Sequence, residues 1–176
     1  PTGHVDDLAG VGAGPAAAVD PVAHWAAEAF RQRVPGPHFH PDIAGAVLRS
    51  TGDVVSSAPE LARLTLNIAA VHHDSRAGSP PGGVRLVYGG HTIGLALAQA
   101  TRLLPNLATV LGWQSCEHTG PVHEGDTLYS DLYIEAAREL PGGRGGVLSL
   151  RSVVFAATGD GADRAVLDWR FSALMF

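Results

Sequence analysis

Lysine is absent from this 176-residue chain: its 12 basic residues are all arginine, against 17 acidic ones, for a formal net charge of −5. The basic footprint that holds nucleic acid is therefore missing, and the arginines are too dispersed to form a polybasic membrane patch. Cysteine occurs once, at Cys116, which excludes an intrachain disulfide and a multi-cysteine zinc site. A lone thiol fits a reducing compartment. No apolar run reaches the roughly 18 residues that a bilayer crossing takes. The first residues lack a basic region leading into an apolar stretch, so no secretory signal is expected and a soluble, cytoplasmic protein is the expectation. Pro1 rather than methionine opens the chain, which reads as a fragment or a processed product. Charged residues are scarce at 16%, while the apolar fraction of 45% is ordinary. One domain of this length buries a core without crosslinks.

What is present falls into segments. "PTGHVDDLAGVGAGPAAAV" reads as a linker. In "DPVAHWAAEAFRQRV", Asp20 suits a helix cap and Pro21 a first turn, while Trp25, Ala26, Ala29, Phe30 and Val34 make one apolar stripe. A short helix is expected over 20–34. "PGPHFHPD" ends it, so residues 1–43 are expected to be linker around that helix, followed by a compact domain over 44–176. "AGAVLRSTGDVV" predicts a strand near 44–55. Ser57 and Glu60 have capping-box spacing, Pro59 fits a first turn, and Leu61, Leu64, Ile68 and Val71 predict a helix running to about His72. After the loop "HDSRAGSPPGG" and a short extended run "VRLVY", the segment "GGHTIGLALAQATRLLP" predicts a second helix. Its face is Ile93, Leu97, Ala100 and Leu104, and its lack of charge predicts burial on most sides. From residue 113 the pattern turns to strands. "DTLYSDLYIEAARE" alternates, with Leu128, Leu132 and Ile134 on one face. "LPGGRGG" reads as a hairpin loop, and "VLSLRSVVFAAT" and "RAVLDWRFSALMF" as strands joined at "GDGAD". The order predicts an α+β fold in which a long curved antiparallel sheet packs on a buried central helix.

One stretch, "LTLNIAAVHHDSRAG", gathers Asn67, His72, His73 and Asp74 within eight positions of an otherwise apolar run. A polar helix end and a catalytic site both produce such a cluster. "NIAAVHHD", "RLVYGGHTIG", "GPVHEGDTLYSDLYI" and "VLDWRFSALMF", in that order, resemble the MaoC-like, (R)-specific enoyl-CoA hydratase family of hotdog folds. The likeness is greatest to the C-terminal half of its double-hotdog members, such as mesaconyl-CoA hydratase-like proteins, and covers about residues 44–176. The family motif has the form D-x-N-P-x-H-x-D. With its histidine on His72 and its last acid on Asp74, the catalytic aspartate falls on Asn67, and Ala69 and Ala70 replace its asparagine and proline.

The resemblance implies a hydratase or dehydratase of an enoyl- or 3-hydroxyacyl-CoA thioester. Histidine is a serviceable base near neutral pH, so His72 is the expected proton carrier. Asn67 cannot accept a proton as a base, but its amide oxygen suits aiming a water. The enolate oxygen is expected to meet the backbone amides of Gly90 and His91 at the second helix's N-terminus. Gly90 matches the glycine of the family's "HGM" segment. Gly89, Asp74, Arg76 and Arg85 are expected around the substrate, the arginines toward the CoA pyrophosphate. Neither a cofactor nor a metal is expected: His38 and His40 pair along an extended stretch without a third ligand at a recognisable spacing. "GVGAG" and "PGGRGG" lack the strand–helix context of a phosphate loop. A thioesterase using Glu60 or Asp74, and a degenerate hotdog half without catalysis, remain alternatives. His73, Asp74 and His91 each have ordinary structural explanations as well. The expected partner is a second hotdog, as a homodimer or as an N-terminal half, with residues 20–34 as the connecting helix.

Overall fold

The computed structural model describes His24 and residues 26–77, 83–158 and 162–176. Asp20, Pro21 and Trp25 of the expected first helix lie outside those residues. Four long strands make the frame: β3 (Leu107–Glu117), β4 (Thr127–Glu139), β5 (Gly146–Ala157) and β6 (Arg164–Met175). Two short ones, β1 (Val47–Arg49) and β2 (Asp53–Val54), both pair with β4. The sheet order is β1-β4-β5-β6-β3, every pairing antiparallel, so β3 is one edge and β1 with β2 the other. Register slips in β3, between Ile134 and Ala136 in β4, and between Val154 and Phe155 in β5 curve the ladder. Even-numbered β5 residues from Gly146 to Ala156 and odd-numbered β6 residues from Trp169 to Met175 are buried on the inner face. Trp169 stacks on Phe171 there at 3.9 Å between ring centroids.

Helix α3 (Gly89–Leu103) packs on that concave face, chiefly against β4 and β5. Its boundaries follow the sequence expectation, but its buried face differs. Thr92, Ala96, Gln99 and Ala100 are the buried residues, while Ile93 and Leu97 are partly covered and Gly94 is exposed. Gln99 is tolerated in the core because its amide is fully used. It donates to the Leu128 carbonyl at 2.9 Å and to Asp53 Oδ2 at 2.8 Å, and accepts from the Ser130 hydroxyl.

Several expectations need correction. The helix beginning after Ser57 does not reach His72: α2 spans only Ala58–Leu64. Leu66 takes a positive φ of 57°, which no continuing helix allows, and short 3₁₀ turns follow at Ala70–His72 and Ser75–Ala77. The Ser57–Glu60 box does not form, because Ser57 itself sits at φ 55° and its side chain makes no cap bond. Residues 35–43, expected as linker, belong to the domain. Phe39 is in the main core, its N–H donates to the Phe176 carbonyl at 2.8 Å, and Asn106 Nδ2 donates to Pro35 and Pro37. The first helix, α1, is Ala27–Arg33, and it rests Ala27 and Phe30 on the chain's C-terminus at Phe176. The expected strand near 44–55 is split into β1 and β2, and β3 starts at Leu107, six residues before the position where the strand pattern becomes legible.

Candidate active site

His72 ends a 3₁₀ turn, and its ring is held from one side. Nδ1 lies 2.7 Å from the Leu86 carbonyl oxygen, which only accepts, so Nδ1 carries a proton, and in the neutral imidazole the lone pair is at Nε2. The Tyr88 ring meets the His72 imidazole edge-on at 6.1 Å. Leu86 also donates its own N–H to the Val71 carbonyl at 3.1 Å, so the segment Arg85–Val87 grips the histidine turn twice. The same segment binds the opposite loop: Val87 donates to Val122 at 2.8 Å, Glu124 donates to Arg85 at 3.1 Å, and Leu86 bridges His123. This strap sets two loops, far apart in sequence, on either side of the start of α3.

Between them lies a cavity of about 260 Å³ lined by His72, Leu86, Val87, Gly89, Thr92, His118, Gly120, Pro121 and Val122. Of the residues expected from sequence, His72 and Gly89 line it. Among the described residues the Gly89 and Gly90 amides have no acceptor, as expected of a helix start. His91 is a correction: its N–H donates to the Tyr88 carbonyl at 2.9 Å and is not free for an oxyanion. Its Nδ1 is buried without a partner, and burial lowers the imidazole's pKa below the ordinary histidine value. Gly90 is crowded by Tyr88, whose ring atoms would lie 2.5 Å from a Cβ there.

The remaining expected residues sit outside the lining. Asn67 closes a small turn on itself, Oδ1 accepting from Ala69 N–H at 3.1 Å, and its carbonyl accepts from the His73 ring. Asp74 is clasped by Arg76 through the backbone amide at 2.9 Å and the guanidinium at 2.8–3.1 Å, which holds its carboxyl down to about 2. Arg85 pairs with Glu124 and donates to the His73 carbonyl at 3.2 Å. Glu60 faces Arg63 at 3.5 Å on the exposed side of α2. His38 and His40 turn to different partners, Asn106 and Asp42, and among the described residues no three His, Cys, Asp or Glu side chains gather as metal ligands.

Two lining residues escaped the sequence reading. Thr92 looks like one polar position in an apolar helix, and His118 like the end of a strand. No spacing signal links them, since only the strap brings β3's end over the first turn of α3. No helix among the described residues is long and apolar enough to cross a membrane.

No protein-family model matches the chain. It is 34% identical over 128 residues to the β-methylmalyl-CoA dehydratase of Chloroflexus aurantiacus, covering 64% of this chain and 36% of that one. It is 38% identical over 93 residues to the mesaconyl-CoA hydratase of Cereibacter sphaeroides, covering 52% of this chain and 26% of the relative. The chain thus spans about a third of the length of these curated relatives. A solved structure from Mycobacterium tuberculosis, described as a conserved protein with a double hotdog fold that is essential for bacterial survival during infection, superposes with a TM-score of 0.80. The identity is 67%, over 97% of this chain and 51% of that one.

Proposed function

We propose that this chain, which has the hotdog fold and is related in sequence to CoA-thioester hydratases and dehydratases, carries the reactive half of such an enzyme. The substrate is a short acyl-CoA thioester, and the two named relatives favour a branched acyl group bearing a second carboxylate. The observation that carries the reading is the His72 ring, protonated at Nδ1 toward Leu86 and unpartnered at Nε2 beside a helix start with free amides. In hydration, the water oxygen bonds to the β-carbon while Nε2 takes its proton. The double-bond pair shifts toward the α-carbon and the thioester oxygen, where the Gly90 amide stabilises the charge. The imidazolium then returns a proton to the α-carbon, and the sum is one water added. Dehydration runs the same steps backward.

Asn67 enters as a positioning residue. Its turn and its carbonyl bond to His73 fix the loop that presents His72, and a small movement of that loop is needed before its amide meets the water. Arg76 and Arg85 remain the proposed contacts for the CoA pyrophosphate, at the cost of sharing with Asp74 and Glu124. The partner is a second hotdog laid along the edge strand β3, where Leu111 and Trp113 are 44% and 57% exposed.

The test is the loss of enoyl absorbance with crotonyl-, mesaconyl- and a longer-chain acyl-CoA. His72→Ala should lower turnover about a hundred- to ten-thousand-fold. Turnover that survives in the variant removes His72 as the base. No turnover and no CoA-ester binding by the intact protein would favour a half that only shapes an interface, a reading in keeping with Asn67 lying outside the cavity lining.

A further inference from the structure

The cavity beside His72 is apolar on Leu86, Val87, Pro121 and Val122, yet it also contains Thr92 and His118. Thr92 is 1% exposed, and its hydroxyl has no hydrogen-bond partner among the described residues. The residue lines the cavity, so a polar group entering there can pair with its hydroxyl. His118 lies across the first turn of α3, its Nε2 2.7 Å from where a Gly89 Cβ would be. That contact gives Gly89 a reason to be glycine: any side chain there would displace the imidazole. Gly89 and Thr92 are three residues apart on α3 and share a face. The Gly89 amide, the Thr92 hydroxyl and the His118 ring therefore converge on one turn, and among the described residues no carboxylate side chain lines the cavity.

The loop carrying His118 is held before any ligand arrives. Thr119 donates to the Val166 carbonyl at 3.0 Å, Arg164 donates to the Pro121 carbonyl and pairs with Asp126 at 3.6 Å, and His123 N–H donates to Asp126 at 2.9 Å. Prearranged donors in a small cavity select a group that accepts several hydrogen bonds at once.

We infer that Thr92 and His118, with the Gly89 amide, form the subsite for a carboxylate on the acyl group and set the preference for acidic over plain short-chain thioesters. The inference rests on His72 being the base of a hydratase. Both residues hold substrate and take no part in proton transfer.

The experiment compares kcat/KM for mesaconyl-CoA and crotonyl-CoA in the intact protein, Thr92→Val, Thr92→Ser and His118→Ala, with calorimetric titration of both thioesters alongside. The ratio favouring mesaconyl-CoA should fall about ten- to a hundredfold in Thr92→Val and in His118→Ala, chiefly through KM and binding. Thr92→Ser should retain it. An unchanged ratio in both variants, or a fall through kcat alone, overturns the inference. If the intact protein turns over neither thioester, the hydratase reading fails by itself. The titrations then decide the subsite: a mesaconyl-CoA advantage lost in the variants supports it, and equal binding of both thioesters by the intact protein ends it.

Discussion

Two residues outside the cavity lining, Asp74 and His91, carry a pH dependence of stability. Asp74 is held down to about 2 by Arg76, so its contribution to the loop is present above the ordinary carboxylate range and is lost as pH falls from there toward about 2. Carbon-detected NMR of the Asp74 carboxyl should show that low midpoint in the native protein and a return to the usual range in Arg76→Ala. His91 has the corresponding sign for a histidine. Burial lowers its pKa, so the unfolded chain takes up the proton first and folding stability declines as pH drops below the ordinary histidine value. Thermal unfolding from pH 7 to 5 should show a decline that His91→Gln lessens. His72 was legible at this scale because a motif surrounds it. Thr92 and His118 were not, since each is informative only in the company of the other.

Secondary-structure elements were legible in proportion to how cleanly their periods report burial. In β5 the inward residues alternate without a break, and sequence and structure agree along the strand. In α3 the apolar period points to Ile93 and Leu97, whereas the core takes Thr92 and Gln99, polar residues whose bonds or cavity position make their burial possible. α2 misleads in the opposite direction. Leu64 and Ile68 keep helical spacing but are 80% and 91% exposed, because the helix ends where Leu66 turns left-handed. Leucine is disfavoured in that conformation and asparagine tolerates it. Leu66→Asn should therefore raise stability by about 0.5–1 kcal/mol, read by urea unfolding. A loss of stability would mean that the exposed leucine is covered in solution.

At the scale of the whole molecule, the chain is a sheet closed on one side by α3 and open along β3. The curved sheet and central helix were foreseeable from the order of segments, whereas the packing of residues 35–43 depends on bonds to Asn106 and Phe176, some seventy or more positions away. The exposed β3 edge should associate. Sedimentation at rising concentration is expected to give a mass above that of one chain, and Leu111→Lys with Trp113→Glu is expected to return it to one chain. A native chain that stays single at every concentration removes self-pairing along this edge.

The strap at Arg85–Val87 has a mechanical meaning. Leu86 holds the His72 turn through both its N–H and its carbonyl, and the neighbouring residues hold the His118 loop. The two walls of the cavity therefore have a common hinge pin. A fluctuation that frees one wall frees the other, so the cavity is expected to be either assembled or dismantled as a unit. Amide hydrogen exchange would report this as one shared opening rate for Leu86, Val87 and Glu124. The four long strands of the sheet, which do not depend on the pin, would keep their protection while the site is lost.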